Sequence, residues 1–272
     1  MIDAHQHFWR LDRGDYGWLT PALQPLYRDY LPADLEPALR RAGVQATILV
    51  QAAPTVAETR YLLGLAHAHD FIAGVVGWAD FDDANVAADI DRLAADERLV
   101  GLRPMIQDIA DTEWMLEEHL APAFESMIDH GLVFDALVLP RHLPALRELV
   151  TRYPELDMVL DHGAKPPLAS GELDDWKRDI AALARESPIV CKLSGLVTEA
   201  HSAEPAVLRA AVDHLLECFG PARLMWGSDW PVCELVCSYD AWRATSEALL
   251  ASLDAAQRDL ILSETARKTY GI

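Results

Sequence analysis

Residues 46–78 read ATILVQAAPTVAETRYLLGLAHAHDFIAGVVGW. The first six are short, apolar and β-branched, as expected of a strand buried on both faces of a parallel sheet. Thr55 and Glu58 then form a capping box that opens a helix running to about His69. Residues 72–78 return to the buried-strand pattern. Strand, helix and strand joined by short connections make one βαβ unit, which sets two parallel strands side by side.

Working outward, the unit recurs. Asp34 reads as the N-cap of a helix over 35–42, stopped by Gly43. Residues 85–95 are amphipathic and precede a strand at 99–103. A helix over 114–130, closed by Gly131, precedes a strand at 133–138. Helices at 143–153, 173–186 and 205–219 precede strands at 158–162, 189–194 and 224–229, and residues 239–270 read as helices only. With a first strand ending in His5 and His7, eight strands alternate with helices, and no Ser/Gly-rich linker divides them. The pattern predicts an α/β protein with a single domain over 1–272, folded as a closed (β/α)8 TIM barrel. A doubly wound open sheet is the alternative, but the first βα turn lacks the glycine fingerprint of dinucleotide-binding versions.

Composition narrows the function. About half of the residues are apolar and 24% are charged, which is ordinary for a globular chain. The net charge of −20 argues against nucleic acid and anionic membrane surfaces as partners, because both need basic patches. The four cysteines, Cys191, Cys218, Cys233 and Cys237, form no zinc-site spacing and read as thiols. No apolar run approaches the ~20 residues that span a bilayer, and the chain enters its first strand without a signal-peptide pattern. The expected setting is the cytoplasm, and a homo-oligomer is compatible with the sequence.

The reactive groups of such a barrel sit at the C-terminal ends of its strands. Residues two apart on a strand share a face, so His5 and His7 project together while Ile2, Ala4 and Gln6 point the other way. The other strands end in Gln51, Trp78, Arg103, Asp161-His162, Lys192 with Ser194, and Asp229. Polar groups at seven of eight ends of otherwise apolar strands read as a site. Plainer readings exist for each: a core histidine for His162, an Asx turn for Asp229, local ion pairs for Arg103 and Lys192, packing for Gln51 and Trp78.

A His-x-His on strand one, a His on strand six and an Asp on strand eight resemble the amidohydrolase superfamily. Residues 3–9 (DAHQHFW), 100–103 (VGLR), 160–166 (LDHGAKP), 191–195 (CKLSG) and 225–231 (MWGSDWP) are similar to its sugar-lactonase branch. That branch includes L-fuconolactonases, L-rhamnonolactonases and 2-pyrone-4,6-dicarboxylate lactonases, and the motifs span nearly the whole chain. The resemblance implies hydrolysis of a sugar lactone, with an L-fucono- or L-rhamnono-lactone as the leading substrate. A dicarboxylate lactone hydrolase, an aromatic-acid decarboxylase and an inactive sugar-binding barrel are the alternatives. Two-metal members carry a modified Lys or a Glu on strand four and a His on strand five. Strand four here offers Arg103 and strand five Asp135. No cofactor is strictly required on this reading. One divalent ion such as zinc is compatible with His5, His7, His162 and Asp229. Asp229 is expected to be the general base, with His5, His7, His162 and Arg103 handling the water and the carbonyl oxygen. Trp9, Gln51, Trp78, Lys192 and Trp230 are the expected substrate-binding wall.

Overall fold

In a computed structural model of residues 1–272, eight parallel strands form one barrel sheet. They are β1 (Ile2–Gln6), β2 (Ala46–Val50), β3 (Ile72–Gly77), β4 (Leu99–Leu102), β5 (Val133–Ala136), β6 (Met158–Leu160), β7 (Val190–Leu193) and β8 (Leu224–Trp226). Each strand pairs with the next in sequence. The ring closes where the Asp229 N–H donates to His5 O at 2.8 Å and the His7 N–H to Trp230 O at 2.7 Å.

The helices between strands are α1 (Pro32–Ala42), α2 (Val56–Ala68), α3 (Val86–Ala94), α4 (Ala121–Asp129), α5 (Leu143–Arg152), α6 (Asp174–Glu186), α7 (Leu196–Ala200) and α8 (Pro205–Phe219). After β8 come α9 (Tyr239–Leu249), α10 (Ala255–Asp259), a π turn (Leu260–Glu264) and α11 (Thr265–Tyr270). No helix is long and apolar enough to cross a membrane. A large apolar layer fills the space between sheet and helices, and a small inner cluster fills the barrel floor with Ile2, Ala4, Ile48, Val50, Val76 and Met225.

Three expectations need correction. Asp34 is not an N-cap: Leu31 holds that position, Pro32 opens α1, and the Asp34 carboxylate reaches back to the Leu31 N–H at 2.8 Å. Residues 114–130 do not form one helix. Two 3-10 turns, Trp114–Leu116 and Glu118–Leu120, precede α4, because Pro122 has no N–H to donate and is tolerated only in a first turn. Strict alternation also fails on β1. Asp3 pairs with Thr47 but Gln6 with Leu49, so three residues of β1 answer two of β2. This bulge lets Ile2 and Ala4 join the apolar floor on the inner side while His5 and His7 above them also point inward.

Above that floor the interior is charged. Tyr270, near the C-terminus, donates its hydroxyl to Asp135 at 2.9 Å. Asp135 is paired with Lys192, whose ammonium lies 3.1 Å from Asp161 and 3.2 Å from His5 Nδ1. All of these side chains are buried. Burial pushes the Asp135 carboxyl up to about 6 against the pull of Lys192. For Asp161 burial is outweighed by Lys192, His5 and Arg103, which hold it well below the ordinary range. Removing the ammonium leaves buried Asp135 without a counter-charge and Asp161 with Arg103 alone, so Lys192→Met is expected to lower unfolding stability by about 3–5 kcal/mol. Urea unfolding followed by circular dichroism measures it. A loss under about 1 kcal/mol would show that this ammonium is not the needed counter-charge.

Candidate active site

The strand ends bring four side chains to the floor of one cavity, with a fifth, His5, buried directly beneath them. His5 and His7 come from the bulged end of β1, Arg103 follows β4, His162 follows β6 and Asp229 follows β8. His162 and Asp229 hold left-handed backbone angles, φ +53° and +55°, which cost a non-glycine residue about 1–3 kcal/mol and turn both side chains off their strands. Gly195 makes room for this: a Cβ there would lie 2.7 Å from the His162 ring. Gly227 does the same for His5, whose Cβ would be 2.7 Å away.

The seam between first and last strands is fixed by Asp3. Its Oδ1 accepts from the Ser228 N–H at 2.8 Å and the His5 N–H at 3.2 Å, and its Oδ2 accepts from the Tyr239 hydroxyl at 3.1 Å. Burial pushes this carboxyl up to about 6. Asp3 thus holds the backbone of both reactive strand ends without reaching the cavity.

The His7 Nδ1 lies 2.8 Å from Val50 O, an atom that only accepts, so Nδ1 carries a proton and, in the neutral form of the ring, Nε2 presents a lone pair. That lone pair faces His5 Nε2 at 3.2 Å and Asp229 Oδ1 at 3.3 Å. Burial would raise the Asp229 carboxyl, but His162, His7 and His5 outweigh it and hold it well below the ordinary carboxylate range. Burial pushes His162 down to about 4 and His5 well below its ordinary value, so both rings are neutral near pH 7. His162 Nδ1 is tied to Ser194 Oγ at 2.8 Å, and its Nε2 stands 4.0 Å from Asp229 Oδ1, a gap a bridging oxygen atom spans. The Arg103 guanidinium bonds Asp161 at 3.2 Å and Gln51 O, and its buried Nε–H has no partner.

A nitrogen lone pair opposite a carboxylate oxygen is repulsive unless a proton or cation lies between them. His5 Nε2, His7 Nε2 and Asp229 Oδ1 are 3.2, 3.3 and 3.7 Å apart. Ligand atoms at tetrahedral bonds of ~2.0–2.2 Å stand roughly 3.3–3.6 Å apart, so this N, N, O set fits one divalent ion. A second grouping, His5 with Asp161 and His162, reuses His5 and needs the Asp161 carboxylate already committed to Lys192 and Arg103.

The cavity, about 220 Å³, is lined by His7, Arg103, His162 and Asp229 at its reactive end. Met105, Leu137 and Val232 give it an apolar side, and Trp18, Gln107, Asp108 and Lys165 complete the wall. The five residues expected as substrate wall stand elsewhere. Trp9 and Trp230 are buried behind the site, their indole N–H groups donated to Arg28 O and Glu234. Gln51 is buried and donates to Arg103 O at 2.7 Å, and Lys192 is the counter-ion of Asp135 and Asp161. Trp78 faces a neighbouring groove with Phe81 and Trp114. The Trp9 and Trp230 indoles, the Gln51 amide N–H and the Lys192 ammonium are engaged by the protein away from the cavity, while the buried Gln51 Oε1 has no partner. Trp18, Gln107, Asp108 and Lys165 lie in loops where no periodicity marks a facing direction.

The amidohydrolase family model matches residues 2–272. An L-fucono-1,5-lactonase of Burkholderia ambifaria is 49% identical to this chain over 90% of it and 86% of its own length. An L-fucono-1,5-lactonase of Burkholderia multivorans is 37% identical over the whole chain and 96% of its own. Among solved structures, an amidohydrolase of Burkholderia multivorans with bound zinc superposes with a TM-score of 0.93 at 38% identity, covering 100% of this chain and 99% of that one.

The geometry of the three-atom cluster is testable without substrate. Chelator-treated protein titrated with zinc in a calorimeter is expected to take up one ion per chain. Asp229→Asn is expected to weaken that uptake at least tenfold, the scale seen when even an outer partner of a ligand is lost. Equal affinity in the two proteins would remove Asp229 from the ligand set.

Proposed function

Because the chain belongs to the amidohydrolase family, we propose that it is a lactone hydrolase that opens an L-sugar lactone, L-fucono-1,5-lactone first, to the hydroxy acid. One observation carries this reading: an ionised carboxylate, Asp229, sits at the floor of a small cavity with the Nε2 atoms of His7, His5 and His162 at 3.3, 3.7 and 4.0 Å. That arrangement supplies a base for water beside three imidazoles and a cation, Arg103, for the carbonyl oxygen.

Asp229 takes a proton from water held between its Oδ1 and the imidazoles. The water oxygen bonds to the lactone carbonyl carbon, and Arg103 and Lys165 in the cavity wall are the cations available to the oxygen that gains charge. A well-placed donor of this kind is worth about 3–4 kcal/mol. The carbonyl carbon–ring oxygen bond then breaks, Asp229 returns its proton to the ring oxygen, and the new carboxylic acid ionises to solvent. A divalent ion held by His5, His7 and Asp229 supplies further polarisation of the bound oxygen when present.

A neutral substrate suits the charge balance. Arg103 is already bonded to Asp161, and Lys165 lies 3.7 Å from Glu199. A dicarboxylate needs desolvated cations to spare, and these two are partly neutralised. Met105, Leu137 and Val232 offer the methyl of a 6-deoxy sugar an apolar seat.

The test is a pH-stat assay across L-fucono-, L-rhamnono- and D-glucono-lactones with an aromatic acid as control. Acid release from the 6-deoxy lactones is expected, and Asp229→Asn is expected to lower kcat by about 10³-fold or more with the fold retained. Carbon dioxide release from the aromatic acid, or an Asp229→Asn enzyme of full activity, would overturn the assignment.

A further inference from the structure

The tryptophans nearest the reactive motifs, Trp9 and Trp230, are buried behind the site, and Trp78 opens into another groove. One tryptophan does line the cavity: Trp18, half-buried in the long loop after β1. Its indole N–H donates to Ala52 O at 2.7 Å, and its ring meets Trp9 edge-to-face at 5.4 Å between centroids.

Ala52 is itself held. The loop after β2 turns its Ala52 and Ala53 N–H groups onto the carboxylate of Glu58, at 3.0 and 2.6 Å. Glu58 belongs to the first turn of α2 and is fully buried without reaching the cavity. The two loops are latched a second time, where the Thr55 hydroxyl donates to Asp15 at 3.0 Å and Arg13 pairs with Asp15 at 2.6 Å. Glu58 Oε2 accepts from both adjacent backbone donors, and Oε1 accepts a longer bond of 3.2 Å from the Ala52 N–H, so the carboxylate satisfies N–H groups that face away from water. The indole has one ring plane, and two bonds in series, Trp18 to Ala52 and Ala52 to Glu58, fix where it stands.

We propose that Trp18 determines specificity by supplying the aromatic face against which the sugar ring of the substrate packs, and that Glu58 is the positioning residue that holds this face through Ala52 and Ala53. The proposal rests on the sugar-lactone reading. It follows from the inventory of the cavity wall, where Trp18 is the sole tryptophan, tyrosine or phenylalanine. A pyranose presents a face of C–H groups that an indole plane covers well, while its hydroxyls need polar partners, here Gln107 and Asp108. The wall carries no chemistry, so its contribution is made in the ground state and the transition state alike. Its loss raises KM more than it lowers kcat.

The experiment compares L-fucono-1,5-lactone with δ-valerolactone, a lactone of the same ring size without hydroxyls or methyl. Trp18→Ala is expected to raise KM for the sugar lactone about tenfold or more, with a smaller loss in kcat and a much smaller effect on δ-valerolactone. Trp18→Phe keeps an aromatic face but loses the bond to Ala52, and is expected to fall between wild type and Trp18→Ala. Glu58→Gln retains one acceptor oxygen and is expected to raise the sugar-lactone KM less than Glu58→Ala does. A purely structural role for Glu58 would instead lower the active fraction, and so kcat, with KM unchanged. An unchanged sugar-lactone KM in soluble, folded Trp18→Ala, or equal losses on both lactones, overturns the proposal. A wild-type protein that opens neither lactone overturns the lactonase reading itself, and this inference with it.

Discussion

The reactive site exists because the first strand hydrogen-bonds to the last. A closed barrel has no sheet edge, and in this one the closing bonds are made by the reactive residues' own backbones: Asp229 N–H to His5 O and His7 N–H to Trp230 O. The Asp3 carboxylate ties the same two segments from the other side, through His5 N–H, Ser228 N–H and the Tyr239 hydroxyl. Residues more than two hundred positions apart are thereby held within 4 Å without a flexible linker. The bulge in β1 is part of the same device, because it lets one short strand give apolar side chains to the floor and imidazoles to the site.

The second constraint is charge. The chain carries −20 overall, yet the barrel interior holds Lys192 and Arg103 among Asp135 and Asp161. Buried ions of this kind bring little net stability compared with apolar packing, and their value lies in what they fix. Lys192 Nζ meets His5 Nδ1, and Arg103 Nη1 meets His5 Nε2, so both nitrogens of that ring are held from below and beside. Tyr270 carries the column down to α11, which places the C-terminal helix under the site as its support.

Much of this was legible in the sequence. The eight strands, the helix at 205–219 and the Gly43 and Gly131 stops follow from periodicity and from glycine's freedom at positive φ, which both sites show. The gathering of His7, Arg103, His162 and Asp229 at one end of the barrel was legible because strand direction and barrel geometry determine which end carries the loops. The bulge was not, since parity along β1 is set by its pairing with β2 and no residue in Asp3-Ala4-His5-Gln6-His7 marks it. The role of Lys192 could have been read: a lysine on a buried inward position demands a carboxylate, and Asp161 just past the adjacent β6 and Asp135 on β5, one strand further, were the buried acids on that side.

The aromatic wall shows why specificity is harder to read than chemistry. Trp9 and Trp230 adjoin the reactive motifs in sequence, yet their indole N–H groups find Arg28 O and Glu234 behind the site. A strand end has one direction, imposed by the sheet. A loop side chain has whatever direction its hydrogen bonds select, and for Trp18 those bonds run through Ala52 to a glutamate on another element. The only sequence signal is the length of the irregular stretch that carries it, residues 8–31, since long loops in compact domains tend to be functional; it does not mark the residue. Strand ends can therefore keep the reaction while loops change the substrate, because the two are positioned by separate sets of bonds. In this barrel the separation is partial: the Glu58 carboxylate touches no site residue, but the end of β2 beside its loop does, through Val50 O to His7 and through Gln51 to Arg103.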